Sequence, residues 1–284
     1  MDAMTTPFLF CFGMGYSALC LARAVKAEGW RVEGTSRDAA KRETLAREGL
    51  VLHEKDYDLT GVTHILVSIP PGTDGDPIVG KFPSALPDLR WLGYLSTTGV
   101  YGDRAGGWVD EGSALRPTSD RARQRVEAER RWLGLYQDRG WPVHVFRLAG
   151  IYGPGRSALD QARDGGAQRI VKPGQVFSRI HVEDIASVLR ASMERPRPGA
   201  IYNVCDDDPA PPAEVIAFAS ALLGLPPPPE VDFAIAQLSP MARTFWADNK
   251  RVRNRRIKEE LGVTLRYPSY KEGLKACLLS GSGG

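Results

Sequence analysis

The chain has 284 residues, 43% hydrophobic and 25% charged, enough to bury a substantial core in one large domain or in a domain with a smaller lobe. Its 37 basic and 34 acidic side chains leave a net charge of +3, too slight an excess to imply nucleic acid as a partner. No apolar run approaches the roughly 20 residues of a membrane span, and the four cysteines, at 11, 20, 205 and 277, lack the spacing of a zinc site or a disulfide framework. The expectation is a cytoplasmic, metal-free protein with no membrane partner.

Phe8-Leu9-Phe10-Cys11-Phe12 reads as a strand buried on both faces, and it runs into Gly13-Met14-Gly15-Tyr16-Ser17-Ala18 and the apolar-periodic stretch Leu19 to Val25. Strand, glycine turn and helix in this order suit a dinucleotide. Gly13 permits the tight turn, Gly15 lets the backbone approach a pyrophosphate, and Ala18 lets helix and strand pack closely, while the helix N-terminus offers free N–H groups. The alternative is a glycine turn that binds nothing.

Arg31 to Thr35 then reads as a second strand and Asp38 to Glu48 as a helix capped near Ser36 or Asp38. The runs His64 to Ile69, closed by Pro70-Pro71-Gly72, and Leu92 to Ser96 are short buried strands. Arg121 to Tyr136 is a charged helix, and Val143 to Leu148 is another strand. This alternation predicts an α/β fold, a doubly wound parallel sheet, over residues 1–150.

From residue 151 onward, Gly153-Pro154-Gly155, Pro173-Gly174 and Pro209 to Pro212 break the texture, and residues 151–284 are expected to form a smaller, partly interleaved substrate lobe. Helices are expected over Pro212 to Leu223 and Asn249 to Leu261, with Val182 to Met193 returning to the main sheet. The basic run Lys250 to Arg256 is expected to be a solvated helix face, and Ser280 to Gly284 a frayed tail.

Four ordered motifs resemble the extended short-chain dehydrogenases/reductases, the group that includes nucleotide-sugar epimerases and dehydratases. They are Gly13-x-Gly15-x-x-Ala18, Leu95-Ser96-Thr97-Thr98-Gly99-Val100-Tyr101-Gly102, Arg147 to Gly155, and Ile180-His181-Val182-Glu183-Asp184. The resemblance spans nearly the whole chain. It implies a Ser or Thr that hydrogen-bonds the substrate oxygen, a Tyr that transfers its proton, and a Lys four residues later that lowers the Tyr pKa. Thr97 falls at the hydroxyl position. Arg121 falls at the Tyr position and Arg125 at the Lys position, so the acid-base pair is missing, because a guanidinium stays protonated. The segment between Pro71 and Trp91 is also short for this group.

Ser36-Arg37 follows the second strand where a carboxylate would hold a ribose 2′-hydroxyl; an arginine there favours NADP over NAD, or else it is a solvated turn residue. Ser68, Ile69 and Pro70 should pass beside the middle of the cofactor. Tyr101 either swings toward substrate to replace the lost hydroxyl or packs structurally. His181 is a base or a satisfied structural histidine, and Asp184 caps or orients the helix that follows. Arg121 and Arg179, with Arg125 and Arg156, face an anionic substrate or lie in solvent. A second Tyr-x-x-x-Lys, Tyr267 to Lys271, looks like the start of the terminal helix. Two functions follow: an NADP-dependent oxidoreductase or epimerase-like enzyme using Thr97, or an NADP(H)-binding redox sensor without turnover, as monomer or homodimer.

Overall fold

The first strand, β1 (Phe8–Phe12), is buried at all five residues because it pairs in parallel with strands on both sides while both of its faces are covered. Alternation sends Leu9 and Cys11 to one face and Phe8, Phe10 and Phe12 to the other. The computed structural model describes residues 6–83 and 85–280; of the tail expected to fray from Ser280, Ser280 itself closes the terminal helix and the rest lies outside the described residues.

After β1 come α1 (Tyr16–Ala27), β2 (Arg31–Thr35), α2 (Ala39–Arg47), β3 (Val51–His53), β4 (His64–Val67) and β5 (Trp91–Thr97). A 3-10 turn, Thr98–Tyr101, leads to β6 (Trp108–Val109), α3 (Asp120–Arg139), β7 (Val143–Leu148), β8 (Gly150–Tyr152), α4 (Ala158–Arg163), β9 (Arg169–Val171) and β10 (Arg179–His181). The remainder is α5 (Val182–Glu194), β11 (Ile201–Val204), α6 (Pro212–Leu222), β12 (Glu230–Asp232), α7 (Pro240–Ala247), β13 (Arg251–Val252), α8 (Arg255–Leu261) and α9 (Tyr270–Ser280).

Seven parallel strands form the central sheet in the order β11-β7-β5-β4-β1-β2-β3. The order reverses direction between β1 and β4, which opens a crevice beyond their C-terminal ends. On one face α1 packs against α5 over Leu9, Cys11, Leu66 and Phe146. On the other, neither the link from β3 to β4 nor that from β4 to β5 contains an α-helix among the described residues. Aromatic side chains cover that face instead. Phe82 meets Phe12, Trp132 and Trp141 at centroid distances of 5.5, 5.2 and 5.3 Å, and Tyr57 lies 5.3 Å from Phe12. Each such pair adds about 0.5–1.5 kcal/mol to its burial.

The strand β11 and the helix α5 return to the main sheet, while the paired strands β8–β10 and β9–β12 and the helices α4, α6, α7 and α9 lie outside it, most of them around two further apolar clusters. The helix expected over Asn249 to Leu261 is corrected to a strand and a shorter helix. Arg251 and Val252 pair in parallel with Trp108 and Val109, and α8 begins only at Arg255. The basic run is therefore not one solvated helix face: Lys250 is largely buried against Asp248, 3.1 Å away. No helix among the described residues is long and apolar enough to cross a membrane.

Candidate active site

Gly13 leaves β1 with φ 85°, and a Cβ there would stand 2.7 Å from Ile69 Cγ1, so only glycine keeps this turn against the end of β4. Its N–H donates to Thr35 Oγ1 at 2.9 Å, Met14 N–H donates to Thr35 O at 2.9 Å, and the Ser68 hydroxyl donates to Gly13 O. The turn is thus tied to β2 and β4 together. Gly15 is the N-cap of α1, which has no side-chain cap and no acidic residue in its first turn. A helix start left open in this way offers donors and partial positive charge to an anion.

At the end of β2, Ser36 N–H donates to His53 O at 2.9 Å, and Ser36 O accepts from Arg42 Nη1 at 2.8 Å. The first carboxylate after the strand, Asp38, accepts from Lys41 N–H at 3.0 Å and is committed to capping α2. Arg37 is exposed and forms no hydrogen bond or ion pair among the described residues. Lys41 Nζ donates to Met14 O at 2.5 Å. Arg37, Lys41 and Arg42 thus gather at this strand end, Arg42 also pairing with Glu54 at 3.1 Å.

Thr97 closes β5 and N-caps the following turn, its Oγ1 accepting from Gly99 N–H at 3.1 Å. Its hydroxyl proton goes to no acceptor among the described residues. Tyr101, at the other end of the turn, is wholly buried. Its hydroxyl donates to Asn203 Oδ1 at 2.7 Å and accepts from Arg147 Nη1 at 2.9 Å, and burial pushes its pKa up to about 12. A phenol so enclosed does not swing toward substrate, which corrects that expectation in favour of packing.

Arg121 is exposed in the first turn of α3 and has no partner among the described residues. Arg125, one turn on, is half-buried and donates through Nη1 to Tyr94 Oη at 3.0 Å and Leu95 O at 2.6 Å. Arg179 is corrected as a cleft residue: its Nη1 donates to Phe177 O at 2.9 Å and Ala210 O at 3.0 Å, so it fastens the β10 region to the loop after β11. His181 caps α5 by accepting from Glu183 N–H, and burial pulls its pKa down to about 4, leaving a neutral structural imidazole. Asp184 accepts from Arg266 N–H and Tyr267 N–H, so it fixes the chain before α9. Tyr267 donates through its hydroxyl to Glu183 at 2.9 Å.

Sequence reasoning missed the buried group beneath Thr97. Glu129 accepts from Ser96 Oγ at 2.5 Å and pairs with Arg147 at 2.7 Å. The signal was available in spacing, because Ala122, Glu129 and Trp132 share one side of α3 and all are buried. One cavity of the structure lies on the aromatic-covered face, lined by residues such as Phe12, Tyr57, Phe82 and Leu86. Gly13, Thr97 and Arg121 do not line it.

The fold is that of the extended short-chain dehydrogenases/reductases. A dTDP-glucose 4,6-dehydratase from Bacillus anthracis, solved in complex with NAD, superposes with a TM-score of 0.75 at 18% identity, covering 97% of this chain and 96% of its own. With that fold, the chain belongs to one family with a functionally unknown conserved protein from Silicibacter pomeroyi DSS. The two are 53% identical with a TM-score of 0.91 over 97% of this chain and 99% of the other. Protein YeeZ of Escherichia coli K12 is 28% identical over 283 residues, which covers 90% of this chain and 94% of the relative. No family model matches.

Proposed function

We propose that the chain binds NADP(H) across the crevice between β1 and β4 and acts as an oxidoreductase or epimerase-type enzyme on a small anionic substrate. The observation that carries this reading is the meeting of the open start of α1, the Gly13 turn locked to Ser68, and Thr97 with its uncommitted hydroxyl proton at one end of the sheet. The residues fit a dinucleotide. Gly13, Gly15, Tyr16 and Ser17 would hold its diphosphate, Ser36 and Arg37 its 2′-phosphate, and Ser68, Ile69 and Pro70 its middle. The Bacillus anthracis neighbour is solved in complex with NAD, which supports a nicotinamide dinucleotide as the ligand.

When bound, the nicotinamide supplies a site for reversible hydride transfer. Thr97 donates a hydrogen bond to the substrate carbonyl or hydroxyl oxygen, stabilising charge that develops there. Arg121 anchors an anionic group of the substrate, since it is exposed, uncommitted and permanently charged.

A second reading, a redox sensor that binds the cofactor without turnover, is favoured by one observation. The positions for the proton-transferring Tyr and its Lys hold Arg121 and Arg125, and the nearby Tyr101 is buried. Calorimetric titration with NADP, NADPH, NAD and NADH tests both readings. Binding with a 2′-phosphate preference supports the site, and a difference between reduced and oxidised forms gives a sensor its mechanism. Absence of binding by all four overturns both.

A further inference from the structure

The turn Gly153-Pro154-Gly155-Arg156 of the smaller lobe closes on itself, with Gly153 N–H donating to Arg156 O at 3.2 Å and Arg156 N–H donating to Gly153 O at 3.0 Å. It lies against the opening residue of α1. The Tyr16 hydroxyl donates to Pro154 O at 2.9 Å, and a Cβ at Gly153 would come within 2.5 Å of that hydroxyl, so glycine is what admits the contact. The Arg156 guanidinium stands 5.8 Å from the centre of the Tyr16 ring. We infer that this turn completes the dinucleotide site from the second lobe, Arg156 supplying the cation for the diphosphate. The inference rests on the dinucleotide reading above.

Charge balance is the reason. A diphosphate linkage carries two negative charges, whereas a helix N-terminus contributes roughly half a positive charge. Residues 12–18 contain no cationic side chain. Lys41 Nζ donates to Met14 O of the turn itself, and Arg37, two residues beyond Thr35, is assigned above to the 2′-phosphate. Arg156 is exposed and pairs with no carboxylate among the described residues. The neighbouring acid, Asp160, is already held by the Ser157 N–H and hydroxyl at 2.7 and 2.6 Å. A guanidinium held against the Tyr16 ring can therefore turn to phosphate oxygens without breaking an ion pair.

The test uses the full chain and three probes: NADPH, ADP, and adenosine 2′-monophosphate, which lacks the diphosphate. Arg156→Met is expected to weaken NADPH and ADP about tenfold or more while leaving adenosine 2′-monophosphate and the melting temperature unchanged, and Arg156→Lys should recover part of the loss. Unchanged affinity for NADPH and ADP, or an equal loss for all three probes, overturns the inference. Failure of the unsubstituted protein to bind NADPH and ADP is a different result: it removes the dinucleotide reading, and this inference with it.

Discussion

Arg147 on β7 and Glu129 on α3 form an ion pair 2.7 Å long in which each side chain is only 3% exposed. Both ends of the Thr97 turn hang from it, since Ser96 donates to Glu129 and Tyr101 accepts from Arg147. Through Asn203 the network reaches β11 at the sheet edge. Every polar atom of the pair has a partner of opposite sense, which is the condition under which a buried charge is tolerated.

Removing one partner should therefore cost much more than removing both. Glu129→Leu or Arg147→Met alone leaves an uncompensated buried charge and is expected to destabilise the fold by about 3–5 kcal/mol. The double variant should lose markedly less than the sum. Urea denaturation of the four proteins gives the coupling directly, and additive losses would show that the two charges act independently.

Arg37→Ala should weaken NADP by about 1.5–3 kcal/mol relative to NAD, the range of a hydrogen bond to a charged group. The local structure supports a clean experiment, because Arg37 is exposed and committed to no other described residue, so little else should change. Parallel titrations with the two cofactors measure the difference. An equal loss for both would assign Arg37 to solvent.

Thr97→Val keeps the β-branched shape at the end of β5 but removes both the acceptor for Gly99 N–H and the free proton. A modest stability loss of about 1 kcal/mol is expected from the lost cap. With a substrate in hand, turnover should fall roughly a hundredfold or more, as for loss of one donor to a developing oxyanion, while NADP affinity stays nearly intact. Undiminished turnover would remove Thr97 from the chemistry.

The glycine turn and the buried strands β1, β2, β4, β5 and β7 were legible in the sequence because local rules govern them: a φ of 85° demands glycine, and buried parallel strands are largely apolar. The failures involve partners distant in sequence. Arg251 and Val252 become a strand only because β6 offers a ladder more than 140 residues away in the chain. Arg179 looked like a cleft residue because arginine is usually exposed, yet backbone carbonyls of Phe177 and Ala210 satisfy it inside the lobe. Tyr101 carried the right chemistry for a proton donor, and only the paired Arg147 and Asn203 show that its hydroxyl is already used.

The buried histidines set the acid response. Burial pulls His64, His144 and His181 down to about 4 from an ordinary value of 6.5. Between those limits the unfolded chain binds three protons that the folded chain does not, so each histidine favours folding above pH 6.5 and loses that contribution as pH falls toward 4. Asp206 acts in the opposite sense. Burial pushes its carboxyl up to about 8 from 3.8, so the folded state keeps a proton that the unfolded state has lost. The net difference across this window is about two protons, and the unfolding free energy should rise with pH by on the order of 3 kcal/mol per unit at its steepest. Above pH 6.5 only the Asp206 contribution remains of these four, and its sign makes stability fall gently toward pH 8. Urea midpoints at pH 4.5, 5.5, 6.5 and 7.5 check the shape. His144→Gln should flatten the acid limb by about one proton, and an unaltered slope would mean that this imidazole takes up its proton without unfolding.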